Sequence, residues 1–145
     1  MPAIEPLYRL LGINPSKLTR IEITLLEAHL FSRIYKELKE FFRKQHREYF
    51  YLMKFTHDME NLMLESNFLR LILKDILDSK EYTPAGIATY TDIPIDVIQE
   101  VIDGRNTNPS AKLLRRSIEL HQSIRPELYE AILKKVIDEY LGKNN

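Results

Sequence analysis

The chain of 145 residues contains no cysteine and no tryptophan, only four glycines, and no surplus of either charge sign. Without cysteine there is no disulfide framework, no thiolate metal site and no cysteine nucleophile, and the chain suits a reducing compartment. Lys plus Arg number 21 and Asp plus Glu number 21, so no global field draws in nucleic acid, anionic lipid or an acidic substrate. Any charged partner has to be held by a local patch. No apolar run approaches the roughly 18 residues of a membrane-spanning helix. The opening Met1, Pro2, Ala3, Ile4, Glu5, Pro6 lacks the basic-then-apolar profile of a secretory signal, so the expectation is a cytoplasmic protein without membrane attachment. The glycines at 12, 86, 104 and 142 are too scattered to cradle a phosphate, and no nucleophile elbow or HExxH pattern occurs. Histidines 29, 46, 57 and 121 show no metal or catalytic spacing, and His57 beside Asp58 reads as a helix-start pair. Neither an enzyme nor a bound metal or cofactor is expected.

What is present is helical. Hydrophobic residues make up 44% and charged residues 29%, a globular composition. Neither glycine nor proline occurs between residues 16 and 83. Within that span Ile23, Leu26, Leu30, Ile34, Leu38 and Phe41 recur at steps of three or four, as do Phe55, Met59, Leu62, Leu69, Ile72 and Ile76. A single helix over the span would be roughly 100 Å long, so polar breaks are expected near Gln45 to Glu48, at Thr56 to Asp58 and at Ser66 with Asn67. Beyond residue 80 the rhythm shortens. Thr83 with Pro84 reads as an N-cap and first-turn proline; Asn108, Pro109 and Ser110 precede another apolar period, and Pro126 opens a last one that ends at Gly142.

Residues 41 to 55 (FFRKQHREYFYLMKF) hold six of the chain's 14 aromatic residues, interleaved with Arg43, Lys44, Arg47 and Lys54. A stacking platform for single strands is one reading. Burial of the rings in a core or subunit interface, with the basic residues on the wet side, is the better one. Ile34, Leu38, Phe41, Phe42 and Phe50 are accordingly the expected dimerisation contacts. From Arg33 to Lys54 seven basic residues face three acidic ones, the strongest positive patch in the chain.

Residues 83 to 110 (TPAGIATYTDIPIDVIQEVIDGRNTNPS) carry the most specific spacing. A short helix from Pro84 to Tyr90, a turn at Thr91, Asp92 and Ile93, and a second helix from Pro94 to Asp103 follow the order of a helix-turn-helix. Ala88 supplies the small side chain where the two helices cross, Ile87, Ile93, Ile98 and Val101 point inward, and Gly104 can take the left-handed conformation that ends the second helix. Gly86, inside a helix, suggests close approach by another segment.

This stretch resembles the lambda-repressor and Cro class of DNA-binding domains, the xenobiotic-response-element family. The match runs through Thr83, Ile87, Ala88, Ile93, Ile98, Val101, Gly104, Pro109 and Ser110, and extends more weakly over Leu69 to Lys80 and Ala111 to Ser123. The resemblance implies an all-α, lambda-repressor-like helix-turn-helix bundle with a long helical N-terminal extension. Residues 1–15 then form an arm, 16–68 the dimerising extension, 69–124 the DNA-binding domain and 125–145 a C-terminal helix. It further implies that the 94–103 helix enters the major groove of double-stranded DNA and presents Ile95, Asp96, Gln99, Glu100 and Asp103 outward. Thr83, Arg105, Asn106, Asn108 and Lys112 would hold the phosphate backbone. A homodimeric transcriptional regulator reading two half-sites is the expected function.

Three carboxylates, Asp96, Glu100 and Asp103, depart from what a polyanion favours, and Pro94 with Ile95 replaces the polar residues usual at the leading edge. Asp92 stands where the family often has glycine. An expectation of a different class therefore stands beside the first: an adaptor or antitoxin-like module of the same fold that docks a protein partner on the acidic face.

Overall fold

The computed structural model describes residues 14–142. Among these residues the protein is all-α: eight α-helices, a short 3-10 turn at Pro15–Lys17 and no strand. The helices are α1 (Arg20–Gln45), α2 (Arg47–Met53), α3 (His57–Ser66), α4 (Phe68–Asp78), α5 (Pro84–Thr91), α6 (Ile95–Ile102), α7 (Ala111–Ile124) and α8 (Pro126–Gly142). No helix among the described residues is long and apolar enough to cross a membrane.

The breaks fall where polar side chains can satisfy helix ends. α1 starts on a reciprocal capping box, in which the Glu22 N–H donates to Thr19 Oγ1 at 3.2 Å and the Thr19 N–H to Glu22 Oε1 at 3.0 Å. These bonds to Thr19, its backbone N–H foremost, hold the Glu22 carboxyl below its ordinary pKa. α2 ends at Lys54 in the left-handed region (φ 55°), and α3 begins on Thr56, whose hydroxyl accepts from the Met59 N–H. Asn67 separates α3 from α4 without capping the following helix. Its side chain donates backward to the Met63 carbonyl at 2.9 Å.

The chain divides into two compact units, one of residues 39–125 and one of the chain up to Leu38 with the chain from Pro126 onward. The first boundary therefore lies inside α1, not at 68/69, because the α1 segment after Leu38 belongs with α2 to α7. In the second unit α8 lies along α1, joined by Arg33 to Glu139 and by Lys135 Nζ to Glu37 Oε2 at 3.0 Å. Leu30, Ile34, Leu38, Tyr129, Ile132 and Leu133 are buried.

In the 39–125 unit α4 packs on α6 and α7, and α5 packs on the same two helices. α4 buries Phe68, Leu69, Ile72, Leu73 and Ile76, and the inward residues of its neighbours are Ile87, Ile98, Val101, Leu113, Ile118 and Leu120. Each fully buried aliphatic of this kind stabilises the fold by about 1.5–3 kcal/mol. Phe42, from the end of α1, meets Phe68 edge-on with centroids 6.1 Å apart and lies 6.5 Å from the His121 ring.

Two expectations are corrected here. Ile34, Leu38, Phe42 and Phe50 are each no more than 3% exposed in the single chain, and Phe41 is half-buried. A helical stripe announces that a face is covered without saying by what, and here the chain itself covers Ile34, Leu38, Phe42 and Phe50, while Phe41 keeps part of its surface. Gly86 is not crowded either. A Cβ built there would meet Thr83 Oγ1 and Tyr82 Cδ1 at 3.5 Å, ordinary van der Waals contact.

One polar cluster sits inside the apolar stripe. Asp75 on α4 is 3% exposed and His121 on α7 is fully buried. Asp75 Oδ2 lies 2.6 Å from His121 Nε2 and accepts from Arg125 Nε at 2.9 Å, while Oδ1 accepts from Arg125 Nη2 at 2.8 Å. Burial pushes the Asp75 carboxyl up, but the hydrogen bonds from His121 and Arg125, with their charges, outweigh it and hold the group well below the usual carboxylate range.

Asp75→Ala is expected to cost about 2 kcal/mol at neutral pH, measured by urea unfolding; buried His121 loses the bond at its Nε2, whereas the Arg125 side chain, 43% exposed, recovers water. Because the folded-state pKa is depressed, the contribution of Asp75 is present above its unfolded value of about 3.9 and fades as the pH falls toward the folded one. The stability difference between wild type and Asp75→Asn should shrink as the pH falls through that acidic window. Gly86→Ala should raise stability by about 0.5–1 kcal/mol, read as an increased melting temperature; a decrease would mean a contact hidden at this position.

Candidate nucleic-acid interface

The α5–α6 corner is built by local chemistry. Thr83 Oγ1 accepts from the Gly86 N–H at 3.1 Å and Pro84 fills the first helical position, so α5 starts abruptly. α5 runs one residue beyond expectation. Thr91 is its last residue and is buried, and its hydroxyl donates to the Ile87 carbonyl at 2.8 Å. Asp92 then takes the left-handed conformation (φ 57°), and the Ile93 N–H closes the turn on the Ala88 carbonyl at 3.2 Å. Pro94 is the N-cap of α6 and not its first residue, since its φ of −54° and ψ of 140° are extended. At the far end Gly104 has φ +78°, and the Arg105 and Asn106 N–H groups both donate to the Glu100 carbonyl, at 2.8 and 3.1 Å. Arg70 on α4 braces this end, donating from Nε to the Ile102 carbonyl at 2.8 Å with its guanidinium 3.6 Å from where a Gly104 Cβ would stand.

The corner leaves one edge of α6 in solvent. Ile98 and Val101 are buried, Ile93 and Glu100 are half-buried, and Ile95, Asp96, Gln99 and Asp103 are exposed, Ile95 to 46%. Thr83, Arg105, Asn108 and Lys112 are also exposed, whereas Asn106 is half-buried and uses Oδ1 to accept from the Asn108 N–H at 3.0 Å. Thr83 spends its hydroxyl as acceptor on its own helix.

Charge around this edge is organised in pairs. Asp103 accepts from Gln99 Nε2 at 3.1 Å through one oxygen and from Arg105 Nη2 at 3.1 Å through the other. Lys112 Nζ lies 3.4 Å from Asp92 Oδ2 and 3.5 Å from the Asp92 carbonyl. Asp96 and Glu100 have no ion-pair partner among the described residues. Three contributors were missed in the sequence: Asp92 as a charge partner, Arg70 as a brace, and the tie of Gln99 to Arg105 through Asp103. The first two span 20 and 32 residues, which no local spacing announces. The Gln99–Asp103 pair is an i,i+4 spacing on one helix and was readable.

Among the described residues no group of three or more histidine or acidic side chains is arranged to hold a metal ion. Comparison with family models, with characterised proteins and with solved structures finds no match.

Arg105 and Lys112 pair in the open, with side-chain exposures of 65% and 51%, where such pairs are worth about 0–1 kcal/mol. Arg105→Ala and Lys112→Ala are therefore expected to unfold in urea within about 0.5 kcal/mol of wild type. A larger loss from either would show that its pair holds the corner together.

Proposed function

We propose that the chain is a helix-turn-helix DNA-binding regulator of transcription that acts as a homodimer and inserts α6 into the major groove. The reading is supported by one observation above all. The outward edge of α6 stands in solvent near two exposed cations, Arg105, paired with the Asp103 carboxylate, and Lys112, paired with the carboxylate and carbonyl of Asp92. Pairs of that strength exchange for phosphate at little cost. Gln99 then offers a bidentate amide to adenine, Asp96 and Glu100 are acceptors suited to cytosine N4, and exposed Ile95 suits a thymine methyl. Asn108 and Lys112 serve as backbone clamps with Arg105, and Thr83 and Asn106, already engaged within the chain, position rather than clamp. A two-fold pair reads two half-sites about 34 Å apart.

A second reading rests on a specific observation, the unpaired Asp96 and Glu100 beside Ile95. An acidic face of this kind opposes a polyanion and suits a protein partner with a basic, apolar surface, as for an adaptor or antitoxin-like module.

Selection of bound sites from a random duplex library, followed by gel shifts at two salt concentrations, separates the readings. Under the DNA reading Arg105→Ala lowers affinity evenly across sequences and reduces the slope of log K against log salt by about 1, while Gln99→Ala relaxes sequence preference. Absence of binding even at low salt removes the DNA reading and leaves the adaptor.

A further inference from the structure

The 39–125 unit carries a second surface that the α5–α6 corner does not use. At the corner between α2 and α3, Tyr49, Tyr51, Leu52, Met53, Met59 and Leu62 are all exposed, Tyr51 to 81% and Leu52 to 69%. Their positions are fixed by what is buried beneath them. Phe50 is buried and stacks on Phe55 with centroids 5.8 Å apart, and Tyr49 meets the other side of the turn through Phe55 at 6.0 Å. The left-handed Lys54 then reverses the chain, and the Lys54 and Phe55 N–H groups close the turn on the Tyr51 and Phe50 carbonyls at 3.2 and 3.1 Å. Met59 and Leu62 follow at an i,i+3 step on α3, so they share one face. Phe50 is inside and Phe55 half-buried, and the aliphatic and phenolic groups around them are out.

We infer that this corner is the face through which two copies of the chain pair, across a two-fold axis. Two arguments select a second copy over other occupants. The first is area. Taking a large side chain at roughly 200 Å², these exposures amount to roughly 700 Å². That is close to the roughly 800 Å² per partner of a standard interface. The second is charge. Arg47, Glu48, Lys54 and Asp58 rim the patch, all are exposed, and none has an ion-pair partner among the described residues. A rim carrying both signs is self-complementary under a two-fold axis, where each cation can meet the carboxylate of the other copy. A phosphate backbone or an anionic bilayer would answer Arg47 and Lys54 and leave Glu48 and Asp58 facing like charge, whereas a second copy answers all four. This surface takes over the pairing that the buried Ile34, Leu38, Phe42 and Phe50 cannot provide. It deepens the homodimer part of the proposed function and rests on that part alone, not on DNA contact.

The absence of native cysteine makes the test direct. In the full chain, Leu52→Cys and Met59→Cys would be oxidised with copper phenanthroline beside Leu25→Cys and Ile95→Cys, two exposed apolar positions outside the corner. Sedimentation equilibrium is run on wild type and Leu52→Asp. The expected result is a wild-type dimer, a covalent dimer at Leu52→Cys or Met59→Cys but at neither control, and a dissociation constant raised roughly 100-fold in Leu52→Asp with unchanged helicity by circular dichroism. A wild-type monomer at the highest attainable concentration overturns the inference, as do cross-links that form as fast at the control positions. Should Leu52→Asp misfold, the cross-linking pattern still decides. Gel shifts on the same samples keep the two ideas apart: a monomer that binds duplex DNA sinks the pairing face and the homodimer but leaves the DNA reading, and a dimer cross-linked at the corner that binds none sinks only the DNA reading.

Discussion

The fold around α6 depends on one carboxylate. Asp75 lies in a stripe that is otherwise Phe68, Leu69, Ile72, Leu73 and Ile76, where an unpaired charge would be prohibitive. It is tolerated because His121 and Arg125, one helical turn apart at the end of α7, give its two oxygens three hydrogen bonds. Aliphatic ridges offer several near-equivalent registers, whereas a fork with three fixed bond directions offers one. α4 and α7 are thereby locked against each other, and each contacts a member of the α5–α6 pair. The outer edge of α6 inherits its position from a bond network that never reaches the surface on that side.

Legibility in the sequence follows the range of the interaction. Thr56, Thr83 with Pro84, and Ser110 announce helix starts because a cap is decided within three residues, and all three hydroxyls accept the expected backbone N–H. Gly104 and Asp92 were readable for the same reason, since a positive φ belongs to a residue and not to its neighbours in space. The Thr19–Glu22 box was equally local, and its T-x-x-E spacing carried the signal. The Asp75 fork spans 46 and 50 residues, and His121 in isolation carries no sign that a carboxylate awaits it. Ile34, Leu38, Phe42 and Phe50 mark the harder limit. Period-3.6 spacing gives the direction of a buried face, and only the arrangement in space says whether the chain or a second copy buries it.

The balanced total of charge conceals an uneven distribution. Lys44, Arg47 and Lys54 around the α2–α3 corner and Asp96 and Glu100 on α6 are without ion-pair partners among the described residues, while three cations of α1 answer carboxylates: Arg33 Glu139, Lys39 Glu65 and Arg43 Glu40. A net charge of zero is a statement about solubility and long-range steering, and it leaves local surfaces undetermined.

The acidity of α6 has its own consequence for a DNA-binding reading. Non-specific affinity comes almost wholly from cations that displace counterions, and it sets the competition from every unrelated site in a genome. Two carboxylates on the reading edge subtract from that term at all sequences alike. They subtract least where a cytosine amino group is placed to donate to them, because there each forms a hydrogen bond in place of an unrelieved repulsion. A reading helix that carries Asp96 and Glu100 between Arg105 and Lys112 thus gives up general affinity and keeps discrimination. Under the DNA reading that exchange suits a protein with few base contacts per copy and calls for a second copy, since affinity surrendered by one acidic edge is recovered when two half-sites are held at once.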